Sequence, residues 1–471
     1  MEFFLRQRGG IVKNIFKRKP SDFPTEYTVT NALKKGDLLT KLSFIILGAG
    51  NIARKQIVKG IMFLLVEVAY IYYMFADGFF RLSELATIGS YKSVEEWNDK
   101  KGIFEYTITG TRSINALLFA VLTIILTLLF IAFWRECVKS AYKVQCLTKE
   151  GKHVNSFKDE IADLFNMSLH KLLLTLPITG VLTFTILPLE FMILMAFTNY
   201  STVNDKLVKF EWTGLEAFKE VINLEGTIGK QFWSVLLWTI VWAIFATVLN
   251  YIMGMILALV INRKGTRLKG MWRFFFILSI AVPQFVSLLI VRTLLNENGA
   301  INMALMDWGW IKEPLPFWTD ATWARVTVII VNCWVGIPYT MLTMTGILQN
   351  IPADLYEAAR VDGANAIVTF FKITLPYMLF VTMPSLITTF TGNINNFNVI
   401  YLLSGGGPTN TLGHTAGDTD LLVTWLYKLT IDRQEYNIGA VIGIFTFVVL
   451  AIVSLVTYRN TNSYKDEEGF Q

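Results

Sequence analysis

Glu357-Ala-Ala-Arg-Val-Asp-Gly-Ala-Asn-Ala-Ile-Val-Thr-Phe-Phe-Lys-Ile-Thr-Leu-Pro376 is a polar interruption between two long apolar runs, and its reading decides how the rest of the chain is arranged. Pro352 suits a first helical turn, residues 353–361 are good helix formers, and Gly363 can take the dihedrals that turn the chain. A second short helical run is expected over residues 366–372, stopping before Pro376. The product is a helix-turn-helix hairpin, residues 352–376, held at both ends by membrane. Its expected use is docking into another protein rather than chemistry.

The flanking composition fixes the setting. Of the 471 residues 53% are hydrophobic and only 17% charged, with a mean hydropathy of +0.47, which is too apolar for a soluble chain of this size. An all-α, polytopic membrane helix bundle is expected. The amino terminus is basic (Arg6, Arg8, Lys13, Lys17, Arg18, Lys19), yet no apolar core with a small-residue cleavage site follows directly. Cys137, Cys146 and Cys333 show no paired spacing, so neither a disulfide framework nor a metal site is expected. The net charge of +6 is concentrated beside apolar runs, which points to orientation in the bilayer and not to nucleic acid.

Eight windows approach the roughly 20 apolar residues needed to span: residues 57–78, 115–135, 171–198, 232–262, 270–295, 324–348, 377–403 and 437–458. Residues 42–50 are apolar but too short, so the lead-in 1–56 is expected to lie along the inner surface. Lys and Arg crowd the lead-in, the 136–170 segment and the loop Arg263-Lys264-Gly-Thr-Arg267-Leu-Lys269, and eight spans put all three on one face. That face is the cytoplasm, with the 352–376 hairpin and both termini. The expected divisions are the lead-in 1–56, two accessory spans with a linker over 57–170, a core of 171–460 and a tail of 461–471.

No GxxxxGK[ST] segment is present, and Gly229-Lys230 lacks both the glycine spacing and the following hydroxyl. ATP hydrolysis, if used, is expected on a partner; the chain is not expected to be an enzyme, and no cofactor is expected on it. His153, His170 and His414 lie outside the apolar runs and offer no proton relay. Glu67 and Glu190 stand inside such runs, where an ionisable group is functional by default; the structural alternatives are that Glu67 lies near a helix end and that Glu190 pairs with a neighbouring helix.

The seventh window is crowded with Thr388, Thr389, Thr391, Asn393, Asn395, Asn396 and Asn398. Unsatisfied amides are costly in hydrocarbon, so these groups face protein or water. Thr389, Asn393 and Asn396 share one helical face, and Asn332, Gly336 and Tyr339 repeat that spacing in the sixth window beside Trp334 and Pro338. Neutral amides and aromatics suit a neutral, hydroxyl-rich ligand better than an ion. The alternative is that they bond helix to helix; taken together, the two faces favour a solute path.

With those residues in hand, the hairpin resembles the EAA signature of ABC importer permeases: Glu357-Ala358-Ala359, three residues, Gly363, nine residues, Ile373, one residue, Leu375-Pro376. The run from Asn393 through Gly407-Pro408 is similar to carbohydrate permeases, most of all the larger, MalF-type subunit of maltose/maltodextrin importers. The similarity is good from about residue 172 onward. It implies a type I permease fold, an ATPase-coupling role for Glu357, Ala358, Ala359, Asp362 and Gly363, and a sugar-lining role for Asn332, Val335, Gly336, Tyr339, Thr389, Asn393 and Asn396. It also implies a second permease as heterodimer partner, two copies of a cytoplasmic ATPase holding ATP-Mg, and an extracellular sugar-binding protein. Two departures stand out: only about residues 199–231 are available where some relatives carry a large external domain, and Ile280 and Gly392 stand where relatives present aromatic rings. The expected substrate is an oligosaccharide of the maltose/maltodextrin class, with another sugar of that class as the alternative. A stand-alone transporter using Glu190 as an ion site is the rival of a different kind, while a glycan enzyme lacks any carboxylate pair at a membrane face.

Overall fold

The computed structural model describes residues 27–90, 92–98, 103–202, 207, 209–263, 265–409 and 415–459. The first basic cluster, Asp99, Lys100, Lys101, Lys264, His414 and the tail beyond Arg459 lie outside the described residues.

Among the described residues, seven helices are long and apolar enough to cross a membrane: Ile57–Thr87, Ser113–Lys149, Leu169–Met195, Thr227–Asn262, Ala321–Asn350, Ala366–Leu403 and Tyr436–Arg459. The eighth, fifth in order, is a pair of half-helices, Lys269–Ala281 and Gln284–Leu294, bent by 88°. A continuous span over 270–295 was expected; Pro283 breaks it, because the residue before proline is pushed out of the helical region and Val282 is extended. The second helix overruns its expected end at 135 and continues to Lys149, since the residues beyond the apolar run remain good helix formers. Between the first two spans the chain forms a hairpin of β1 (Lys92–Asn98) and β2 (Ile103–Thr109), antiparallel with Lys92 opposite Thr109 and Asn98 opposite Ile103. This is a small strand addition to a helical architecture.

The chain divides into two compact units at Phe191/Met192, within the third span. In the first, the lead-in is stitched to the spans by polar bonds. Arg54 pairs with Asp37 within the lead-in at 2.7 Å, while Trp134 Nε1 donates to the Phe44 carbonyl, and Glu67 is buried with its carboxylate accepting the Leu47 N–H at 2.8 Å. Glu67 stands inside the helix Ile57–Tyr73 rather than near its end, and it satisfies the Leu47 N–H of the preceding turn. Glu190 is half-buried on the third span.

In the second unit the fourth span is central. Trp238, Trp242 and Ala246 pack with Val328, Val331, Ile394 and Leu403 toward one end, and Tyr251, Met255 and Ala258 with Met341, Met344 and Met378 toward the other. Between these two apolar layers lies a band of Asn and Thr.

The 352–376 hairpin begins as expected with the helix Ala353–Val361 and turns at Gly363, whose φ of +72° is left-handed. Nothing lies within 4 Å of a Cβ built there, so conformation and not space asks for glycine. Asn365 caps the returning helix by accepting the Val368 N–H. That helix does not stop before Pro376: it passes through a π turn, Phe370–Thr374, into the seventh span. The wide turn resets the hydrogen-bond ladder, and Pro376 falls in the first turn of the next helical stretch, where a missing N–H is tolerated.

Candidate functional site

The Asn and Thr band encloses a cavity of about 280 Å³ lined by the fourth, sixth and seventh spans. Asn332, Val335, Gly336, Tyr339, Thr389 and Asn393 all reach it, so six of the seven residues singled out in these two spans are brought together. Asn396 is not among them. The seventh span breaks at Asn395, and the Asn396 side chain caps the short helix Phe397–Leu403 by accepting the Val399 N–H at 3.2 Å. The shared-face spacing required an unbroken helix through position 396. A capping residue in a run of four asparagines was the available sign of a break.

The fourth span contributes what the sequence reading missed. Thr247, Asn250 and Tyr251 line the cavity from the side opposite the sixth and seventh spans' polar faces. Their signal was the i, i+3, i+4 spacing of polar groups in an otherwise apolar helix. Gly336 is there for close approach: a Cβ at that position would lie 2.2 Å from Asn250 Nδ2. Tyr251 and Thr382 share a hydroxyl hydrogen bond of 2.9 Å.

The amides divide into two kinds. Asn393, 8% exposed, is pinned to the wall: its Nδ2 donates to Thr247 Oγ1 at 3.0 Å, and its backbone carbonyl accepts from Trp242 Nε1 at 3.1 Å. Asn332, 4% exposed, leaves its Nδ2 without a partner among the described residues, and Asn250 leaves its Oδ1 likewise. A buried polar atom left unpaired costs about 1–3 kcal/mol, and most such atoms in native structures have partners. A donor and an acceptor are thus both unfilled on one cavity that no charged side chain lines.

A second cavity, about 310 Å³, adjoins the first through Val335 and Tyr339. It sits in the elbow of the broken fifth span, lined by Ser279, Ile280, Gln284 and Ser287, with Trp334 across from them. Tyr339 is 69% exposed, an aromatic face open beside both cavities.

At the other named region, Glu357, Ala358, Asp362 and Gly363 are exposed, whereas Ala359 is buried against the protein. Tyr356 Oη and Thr374 Oγ1, 3.1 Å apart, tie the two arms of the hairpin. Val361 at its tip is 87% exposed, with Ile367 also bare, so the hairpin presents apolar side chains among the charged Glu357, Arg360 and Asp362.

Residues 250–463 match the family described as "Binding-protein-dependent transport system inner membrane component". The chain is 35% identical over 428 residues to the galactooligosaccharides transport system permease protein GanP of Bacillus subtilis, covering 90% of this chain and 97% of that one. It is 32% identical over 457 residues to the maltodextrin transport system permease protein MdxF of the same organism, covering 94% and 99%. Among solved structures, a bacterial ABC transporter involved in alginate import overlays with a TM-score of 0.51 at 23% identity, over 64% of this chain and 97% of that one, a likeness of fold. The chain belongs to the binding-protein-dependent inner membrane permeases, as a multi-pass sugar permease of the ABC importer type.

Proposed function

We propose that the chain carries a neutral oligosaccharide through the 280 Å³ cavity, driven by ATP hydrolysis on a separate subunit that grips the 352–376 hairpin. The single observation that carries the reading is the pair of unfilled amide atoms, Asn332 Nδ2 and Asn250 Oδ1, on a cavity without charge. A sugar hydroxyl both donates and accepts, so one or two hydroxyls answer both vacancies at once. The absence of lining cations argues against acidic sugars, and the exposed Tyr339 and Trp334 offer ring faces to the apolar side of a pyranose. Asn332, Val335, Gly336, Tyr339 and Thr389 line the path, while Asn393 holds its wall and Asn396 acts only on the backbone.

Maltodextrins are the first candidate substrate. Galactooligosaccharides are the second, favoured by the similarity to GanP. A second permease would cover the open aromatic face, completing the pathway as a heterodimer, and an extracellular binding protein would deliver the sugar. The bare Val361 and Ile367, flanked by Glu357 and Asp362, form the docking face for the ATPase, with both termini on that cytoplasmic side. Rotation of the hairpin would pass directly into the seventh span, because helix continues from Ala366 to Leu403 apart from the π turn and the break at Asn395.

Uptake into vesicles holding the whole reconstituted importer tests this. ATP-dependent entry of maltotriose or of a galactooligosaccharide, indifferent to ion gradients, is the expected result. Entry that follows an ion gradient after ATP depletion would overturn it in favour of a Glu190-type secondary transporter.

A further inference from the structure

The first unit holds two cavities that sugar transport leaves unused. One is a chamber of about 840 Å³ whose walls include Lys59, Lys139, Lys143 and Lys171 together with Glu136 and Glu160. Lys59 pairs with Glu160 at 2.6 Å and Lys139 with Glu136 at 2.6 Å. Lys143 and Lys171, both exposed, have no carboxylate partner among the described residues, so the chamber keeps an excess of two positive charges. The other cavity is an apolar groove of about 480 Å³ between the first two spans, lined by Val66, Ala69, Tyr70, Leu126, Leu129 and Phe130. Phe133 lines both, so the groove and the chamber adjoin at its ring.

We propose that chamber and groove form one binding site for an anionic phospholipid, with the headgroup phosphate between Lys143 and Lys171 and an acyl chain along the groove. Chamber size fits, since small-molecule sites occupy roughly 300–1,000 Å³. Depth fits as well. Lys59 stands near the start of the first span, and Tyr73, at the far end of the groove, is about 21 Å further along at 1.5 Å per residue, enough to cross the roughly 15 Å of one leaflet's hydrocarbon. The placement fits too: the lysines stand where the first three spans meet the face rich in Lys and Arg, and basic pockets between spans on that face suit anionic headgroups. A free phosphate would use the chamber alone and leave the apolar continuation without purpose.

The test is native mass spectrometry on the full chain, offered phosphatidylglycerol, phosphatidylcholine or inorganic phosphate. Wild type should retain phosphatidylglycerol in preference to phosphatidylcholine, and millimolar inorganic phosphate should not displace it. At about fivefold per lysine, Lys143→Gln with Lys171→Gln should weaken phosphatidylglycerol binding roughly 25-fold. Ala69→Trp, at an exposed groove position, should also lose the lipid while keeping every lysine, which separates blockage from charge loss. Equal retention of the two lipids, undiminished binding by either variant, or displacement by inorganic phosphate would overturn the proposal.

Discussion

Two buried polar regions of the second unit make opposite use of the same residue types. Around Asp420, outside the spans, both carboxylate oxygens are engaged: Lys428 Nζ sits 2.6 Å from Oδ2, the Gly417 N–H donates to Oδ2 at 2.7 Å, and Thr424 Oγ1 donates to Oδ1 at 2.8 Å. Burial raises the Asp420 carboxyl above its ordinary range, opposed by Lys428 and by these hydrogen bonds. Gly406, at a φ of +83°, makes room, since a Cβ there would come within 1.9 Å of Asp420 Oδ1. In the mid-span cavity Gly336 makes room for Asn250 in the same way, but the amides it brings together stay partly unfilled. A saturated cluster holds a fold together. An unsaturated one keeps free energy in reserve for whatever fills it.

The sharpest way to break this contrast is to empty the saturated cluster. Asp420→Ala should destabilise the protein by about 3–5 kcal/mol, because Lys428 is left beside a vacated site, and thermal melting in detergent would read this directly. A small shift would mean that the cluster is not structural. Asn393→Leu comes next: it leaves Thr247 Oγ1 without its donor and the wall unpinned, so stability should fall by about 1–3 kcal/mol along with uptake. Gly363→Ala forces a side chain into a left-handed conformation at a cost of about 1–2 kcal/mol, confined to the hairpin. Sugar-stimulated ATP hydrolysis should drop while insertion is unchanged, and wild-type hydrolysis would remove the hairpin from coupling. The smallest effect belongs to the first unit. Burial alone would raise the Asp37 carboxyl, but Arg54 and Thr40 together hold it below the ordinary value. Its contribution is therefore present above the unfolded-state value of about 3.9 and is lost as pH falls through the lower folded value. Protection of the amides over residues 29–54, measured by hydrogen exchange relative to the intrinsic rate at each pH, should fall on acidification toward and below pH ~4, and Asp37→Asn should flatten that dependence.

Much of this was readable beforehand because membrane physics leaves long apolar runs and places lysines on one side. The hairpin could be read because Gly363 and the alanines around it answer purely local demands. Pro283 showed where the fifth span breaks, yet hydropathy averages over a single proline. Asn396 misled because periodicity assumes a continuous helix, and only the change of backbone direction after Ile394 turns that side chain into a cap. Thr247 and Asn250 escaped notice because two or three polar residues scarcely alter a 36-residue apolar helix; their importance comes from which spans they face. Which amides are filled is a tertiary property with no counterpart in one-dimensional spacing.

The most direct measurement is sugar uptake and melting temperature determined together on Asn332→Leu in the reconstituted importer. Replacing a buried amide whose Nδ2 has no partner by an apolar side chain should leave stability unchanged or raise it by about 1 kcal/mol, while uptake is lost. Normal uptake, or a loss of uptake matched by an equal loss of stability, would contradict the assignment of that cavity to the sugar.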